Sequence, residues 1–275
     1  MPELPEVETV RQGLLKLVQS KKIAKVTVLW PRIVTNDLTE FDQRLSGQTI
    51  ETIDRRGKYL LFRLSNHLTL VSHLRMEGKY HLEAAGVPPE KHTHVIFEFT
   101  DGQQLFYNDV RKFGRMTLGD TGFEKQLSGI QALGPEPLSP EFTIPAFKAA
   151  LKRRHKNIKS ALLDQHSVAG LGNIYVDEVL WLSKIHPLQP ANSLTDAEIS
   201  ALFSAIREEM KIAIEAGGTT IRSYVDAAGH QGHFQLQLHV YGHQGDPCER
   251  CGTTIEKFKV GGRGTHICPK EQQLR

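Results

Sequence analysis

At 275 residues, 39% hydrophobic and 24% charged, the chain suits a folded protein of two ordinary-sized domains. No run of about 18 apolar residues occurs, which argues against a membrane-spanning helix. The first twenty residues carry three glutamates and lack the basic and apolar regions of a secretory signal, so a cytoplasmic protein is expected. A net charge of +3 is too small to establish a nucleic-acid partner by itself.

In chain order, residues 5–18 read as a helix. Pro5 suits its first turn, Glu6 and Glu8 favour the positive end of its dipole, and Val7, Val10, Leu14 and Leu17 form one apolar stripe. The period then shortens. Ile23–Trp30, Thr49–Arg55, Tyr59–Leu64, Leu68–Leu74, Lys79–Glu83, His94–Thr100 and Gln104–Asn108 read as strands, the last two joined through Asp101-Gly102 as a hairpin. Seven or eight short strands predict an antiparallel sandwich. Gly129, Gly134, Pro135, Pro137, Pro140 and Pro145 mark a boundary, with a linker over 131–145.

Beyond it, Ala146–Arg154, Ile158–Gln165, Ile174–Leu182 and Thr195–Ala216 read as helices, the last capped by Thr195 with Glu198 three residues on. The divisions expected are 1–130, 146–233 and 234–275. Lys148, Lys152, Arg153, Arg154, Lys156 and Lys159 fall in a stretch without acids, which fits either a solvated helix face or phosphate binding. Ser167-Val-Ala-Gly-Leu-Gly-Asn173 reads as an exposed turn, either a plain connector or a phosphate cradle at a helix start. Residues 217–232 are rich in Gly and Thr and read as a mobile loop, and the tail from Phe234 as strands around the cysteines.

Two places carry chemistry. The three cysteines stand as Cys248-x2-Cys251-x16-Cys268-x2-Glu271, a zinc-ribbon spacing at three of four positions with a carboxylate at the fourth. Cys248, Cys251, Cys268 and Glu271 are therefore the candidate ligands for one structural zinc, with His266 or a water as competing fourth donors. At the other end, removal of Met1 before so small a residue would leave Pro2 with a free secondary amine. Its pKa would lie near 8 against about 10.4 for lysine. Such an amine can attack a sugar C1′ and form an iminium ion, and Glu3 and Glu6 would place carboxylates beside it. The plain alternative is that Pro2 and Pro5 only start a helix.

Six blocks in series are similar to bacterial formamidopyrimidine-DNA glycosylase: Met1–Thr9, Arg56–Tyr59, Ser72–Gly78, Asp109–Gly114, Gly172–Glu178 and Gly261–His266. The resemblance implies an α+β protein: an N-terminal helix on an antiparallel β-sandwich, then a helical domain with a helix–two-turn–helix and a C-terminal zinc ribbon. Double-stranded DNA carrying an oxidised purine or an abasic site would lie in the cleft between domains. The expected activity is base-excision repair, in which a monomeric, nucleoid-associated bifunctional enzyme removes 8-oxoguanine and formamidopyrimidines and cleaves the abasic site by β,δ-elimination.

Carried over by position, the resemblance makes Pro2 the Schiff-base nucleophile, Glu3 the proton donor, Glu6 a support for the nucleophile, and Lys58 an aid near the lesion's backbone. Met76, Arg111 and Phe113 would fill the hole left by the extruded base, and His73, Asn173 and Arg263 would contact flanking phosphates. Glu77, Thr219, Thr220, Ile221, Arg222 and Tyr224 would meet the lesion. Two other readings stay open: an endonuclease VIII-like enzyme for oxidised pyrimidines, whose relatives carry glycine where this chain has Leu4, and a non-catalytic zinc-ribbon DNA-binding protein.

Overall fold

The computed structural model describes residues 1–219 and 234–275. Two compact units divide the chain, one of residues 1–131 with 217–219 and the other of 132–216 with 234–275.

In the first unit, helix α1 (Leu4–Val18) turns Val7, Val10, Leu14 and Val18 inward along one stripe. Strands β1 (Ile23–Val28), β2 (Ile50–Arg56), β3 (Tyr59–Leu64), β4 (Leu68–His73), β5 (Lys79–Glu83), β6 (Thr93–Phe99), β7 (Gln104–Asn108) and β8 (Arg115–Asp120) build two antiparallel four-stranded sheets. Their orders are β1-β6-β7-β5 and β2-β3-β4-β8. One continuous core, including Ile53, Phe62, Leu70, Phe97, Leu105 and Met116, fills the sandwich and takes in the α1 stripe. Burying each such side chain stabilises the fold by roughly 1.5–3 kcal/mol before chain entropy is counted. The short helix α2 (Leu38–Leu45), capped by the Asp37 carboxylate, adds Phe41 and Leu45 to the same core.

Two sheet connections matter for function. The β2–β3 hairpin turns through Gly57-Lys58, with Gly57 at φ +56°, a left-handed position that glycine adopts without strain. The crossovers 74–78 (β4 to β5) and 109–114 (β7 to β8) both pass between the sheets. Since His73 pairs with Arg115 and Lys79 with Asn108, they do so at the same end of the sandwich.

A short helix α3 (Ser128–Gln131) ends the first unit and lays Ile130 on Leu61 and Val71. The second unit holds α4 (Ile144–Lys152), α5 (Ile158–Leu163), α6 (Asn173–Leu182), α7 (Asp196–Glu215) and a hairpin of β9 (Glu256–Val260) with β10 (Arg263–Ile267). Thr195 caps α7 reciprocally with Glu198, as its sequence predicts. Residues 234–237 form a single 3-10 turn, and the strands of the tail begin only at Glu256. Among the described residues no helix is long and apolar enough to cross a membrane.

The structure corrects one sequence expectation here and bears on a second. The 167–173 segment is an interior connector and not an exposed turn: Ser167 to Gly172 are buried, and Ala169 N–H donates to the Pro135 carbonyl. The basic stretch is largely a solvated face, with Lys152, Arg153 and Lys156 exposed, and most of its cations have partners within the fold. Lys148 pairs with Asp196, Lys152 donates to the Asn192 and Leu194 carbonyls, and Arg154 and Lys156 share Asp164. Lys159 is fully buried against Asp177. Five of the six cations thus have partners among the described residues, and only the Lys159 pair is buried.

Candidate active site and DNA-binding face

The N-terminus is built around buried acids. Pro2 is buried, and Glu3 and Glu6 are each only 3% exposed, unusual for carboxylates beside a chain end. Glu3 is the N-cap of α1, and its N–H donates to Glu6 Oε2 at 2.8 Å. The other oxygen, Glu6 Oε1, accepts from Thr219 N at 2.7 Å and from Thr219 Oγ1 at 3.1 Å. One carboxylate therefore fixes both the backbone at Glu3 and the backbone at Thr219. The neighbouring Gly218 is required: at φ +74° a Cβ there would stand 2.7 Å from Glu6 Oε1.

Lys58 is brought to the same helix through a chain of ions. Glu8 on α1 bonds Arg11 at 2.6 Å and Arg55 at 3.0 Å, and Arg55 Nη1 reaches the Gly57 carbonyl at 3.0 Å. Although burial opposes it, the donors Arg11, Gln12 and Arg55 hold the Glu8 carboxyl below its ordinary range. Lys58 itself is buried, and its charge is felt at His73. Burial, with help from Arg75 and Lys58, lowers the His73 pKa to about 3. Its Nδ1 accepts from Arg75 N at 2.9 Å, which leaves the neutral ring with its proton on Nε2, a donor that does not titrate near neutrality.

The two crossovers of the sandwich carry the expected void-filling trio. Met76 and Glu77 are half-buried on the first; Arg111 and Phe113 are exposed on the second, Phe113 to 47%. An exposed phenylalanine stacked under a guanidinium, with Arg111 Cζ 4.8 Å from its ring centre, is a surface element and not a core residue. Sequence reasoning named the block but missed the residue that shapes it. Asp109 is fully buried and accepts from the N–H groups of Arg111, Phe113 and Gly114 at 3.0, 2.8 and 2.8 Å. An Asp followed by a turn containing Gly is the signal that would have found it.

In the second unit the ribbon is anchored to the helices by a buried polar network. Lys159 Nζ bonds Asp177 Oδ1 at 2.6 Å and the Gly264 carbonyl at 3.0 Å. Asp177 Oδ2 accepts from His266 N at 2.9 Å and faces His266 Nδ1 at 3.1 Å, and Asn173 Nδ2 donates to Gly264 O at 2.9 Å. These bonds hold the β9–β10 turn beside the start of α6, with Arg263 exposed at the head of β10. Glu178 accepts from three successive N–H groups, His239 to Tyr241, and Trp181 packs on Cys248 and Cys268.

The ligand atoms of Cys248, Cys251 and Cys268 lie within 4.8 Å of one another, and Cys251 and Cys268 Sγ are 3.5 Å apart. Tetrahedral zinc with bonds of about 2.3 Å needs sulfurs roughly 3.8 Å apart, so these three thiols fit one ion. Glu271, the expected fourth ligand, is not brought to them. It bonds Lys184 at 2.9 Å and lies 3.5 Å from Arg250, and Lys184 holds its carboxyl below the ordinary range. His266 is likewise engaged elsewhere, by Asp177 and Gln244. Of the lesion-contacting set, Thr219 is described above, while Thr220, Ile221, Arg222 and Tyr224 lie outside the described residues.

Comparison with known proteins agrees with this geometry along the whole chain. Residues 1–116 match the formamidopyrimidine-DNA glycosylase N-terminal domain, 133–225 its H2TH domain, and 245–270 the zinc finger found in FPG and IleRS. The formamidopyrimidine-DNA glycosylase of Ligilactobacillus salivarius is 60% identical and that of Lactiplantibacillus plantarum 58%, each over all of both chains. A solved complex of Lactococcus lactis Fpg with abasic-site DNA superposes with a TM-score of 0.94 at 47% identity, covering 98% of this chain and 99% of that one. A point mutant of the Lactococcus lactis enzyme in complex with Fapy-dG DNA also gives 0.94, at 46% identity over 99% of this chain and 100% of that one. With its N-terminal, H2TH and zinc-finger parts all matched in order, the chain belongs to the formamidopyrimidine-DNA glycosylase family.

Proposed function

We propose that the protein excises oxidised purines from duplex DNA and then cleaves the resulting abasic site, with Pro2 as nucleophile. It is a base-excision repair glycosylase and abasic-site lyase, acting on DNA in the cytoplasm at the nucleoid. The observation that carries the reading is the carboxylate pair Glu3 and Glu6 buried at the chain's start, with Glu6 bonded on both sides.

The chemistry follows from those groups. Once Met1 is removed, the Pro2 lone pair attacks C1′ of the damaged nucleotide. The bond from C1′ to the base breaks, the base leaves with that electron pair, and the proton shed by the Pro2 nitrogen neutralises it. Glu3 gives its proton to the ring oxygen as the C1′–O4′ bond opens, producing an iminium ion. That cation acidifies C2′; loss of its proton expels the 3′ phosphate, and a second elimination expels the 5′ phosphate. Glu6 acts by holding the Glu3 backbone in place. Lys58 and neutral His73 supply a cation and a hydrogen-bond donor for the phosphodiester beside the lesion, and Asn173 and Arg263 do the same from the second unit. Zinc held by the three cysteines would serve as a structural crosslink for the ribbon.

The solved relatives were bound to abasic-site and Fapy-dG DNA, which supports a purine substrate over the oxidised-pyrimidine reading. Glu3→Gln tests the assignment because it keeps shape and hydrogen bonding but loses the transferable proton. Excision of 8-oxoguanine should fall by about 100-fold or more, within the usual contribution of a general acid, while cleavage of a ready-made abasic site falls far less. Equal losses on both substrates would remove Glu3 from the proton-donor role.

A further inference from the structure

Tyr107 on β7 is fully buried, and its hydroxyl has no hydrogen-bond partner among the described residues. A buried hydroxyl left unpaired costs stability, so its retention calls for a reason. Its position supplies one. A Cβ on Gly78 would lie 2.3 Å from that oxygen, and a Cβ on Gly114 would lie 1.7 Å from it and 2.7 Å from Cζ. Both glycines end a crossover between the sheets: Gly78 closes the turn bearing Met76, and Gly114 closes the turn bearing Arg111 and Phe113. Each turn is thus seated against the same oxygen atom, and a side chain at either glycine would push its turn away.

The second turn has its own internal frame. Asp109 takes three of its amides, and the Asp109 carbonyl in turn accepts from His94 Nε2 at 2.8 Å and from Lys112 N at 3.1 Å. Lys112 is left-handed, at φ +59°, and its ammonium sits 3.9 Å over the Trp30 ring. Arg111 and Phe113 are thereby left facing outward on either side of a residue tied down to the sandwich.

We propose that Asp109 and the Tyr107 hydroxyl are positioning residues that make the two crossovers one wedge, so that Met76, Arg111 and Phe113 enter the duplex together. This deepens the proposed function and rests on its assignment of those three side chains to DNA. Neither Asp109 nor Tyr107 touches the substrate; they set where the touching groups stand.

The test is single-turnover excision of 8-oxoguanine opposite cytosine in duplex, set beside borohydride trapping on a single-stranded abasic oligonucleotide, which has no base stack to enter. Asp109→Asn keeps the size but replaces one acceptor oxygen by a donor. It should slow duplex excision by about tenfold or more while changing single-strand trapping by no more than about twofold. Combined with Phe113→Ala it should add little to Phe113→Ala alone, because both act through one wedge. Tyr107→Phe should melt no lower than the wild type, having lost an unpaired hydroxyl, and still slow duplex excision; a merely structural role would move both together. Should Asp109→Asn not fold, Tyr107→Phe decides. Wild-type duplex rates in these variants, or losses that add fully to that of Phe113→Ala, would overturn the inference while leaving the proposed function intact. If Phe113→Ala and Arg111→Ala were themselves without effect, the DNA-contact assignment and the inference would fall together.

Discussion

Arg111 shows how far a single side chain's role follows from its setting. It is exposed, its backbone is fixed by Asp109, and its guanidinium rests on Phe113. A guanidinium presented this way can donate to the base left unpaired when its partner is extruded. Arg111→Ala should therefore reduce discrimination between cytosine and adenine opposite the lesion by roughly 1–3 kcal/mol, the value of one good base contact. Phe113→Ala should weaken excision whatever the opposite base. Measured excision rates opposite each base separate the two, and an unchanged preference in the Arg111 variant would contradict its role. At this scale the sequence was legible where polar or glycine neighbours flanked an apolar residue, as at Met76 and Phe113. It was not legible for Lys159, whose buried partner Asp177 stands eighteen positions away, nor for Asp109, whose work is done on backbone amides.

Among elements, the packing of α6 on α7 contains an unusual acid. Glu209 on α7 is 4% exposed, its Oε1 has no partner among the described residues, and burial, with repulsion from Glu178 on α6, raises its pKa to about 8. Its folded pKa thus exceeds its unfolded value, so the native state binds more protons between those values and stability falls as pH rises from about 4.5 to about 8. Glu209→Gln removes that dependence. The variant should match the wild type near pH 4 and become increasingly more stable up to pH 8 to 9, with an upper bound of roughly 5 kcal/mol. Denaturant midpoints across that range provide the measurement, and a gap that does not widen with pH would show that Glu209 is ionised in the fold.

The ribbon makes a second element-scale case. Cysteine spacing identified it from the sequence, but Glu271 turns to Lys184 and Arg250, an ion pairing between residues far apart in the chain that spacing cannot reveal. Glu271→Cys should slow zinc loss to a chelator by adding a fourth thiolate, and Glu271→Ala should leave the rate within about twofold of wild type. Clear acceleration in the alanine variant would make Glu271 a ligand after all. Short runs rich in β-formers and bounded by turn residues made β3, β5 and β7 readable to the residue. The edge strand β8 escaped because half its residues face outward and Gly119-Asp120 resembles a turn. The helix α2 escaped because its two turns are too short for a period to stand out.

At the scale of the whole molecule, the residues proposed for chemistry and recognition are spread along the chain. Glu3 and Glu6 come from its start, Lys58 and the two crossovers from the sandwich, Thr219 from beyond α7, and Asn173 and Arg263 from the helices and ribbon. The order of the six motif blocks was legible in the sequence, and so was the sandwich. The link from the chain's start to Thr219 was not, because it is a bond across 213 positions within the first unit. The assignment that everything else depends on is Pro2. Protein with its authentic Pro2 terminus should be incubated with an 8-oxoguanine duplex, reduced with borohydride, and the cross-linked residue mapped by mass spectrometry. The account predicts a covalent adduct on the Pro2 nitrogen, and no adduct from protein that retains Met1 or an N-terminal tag. Cross-linking through Lys58, or no adduct from the authentic terminus, would contradict it.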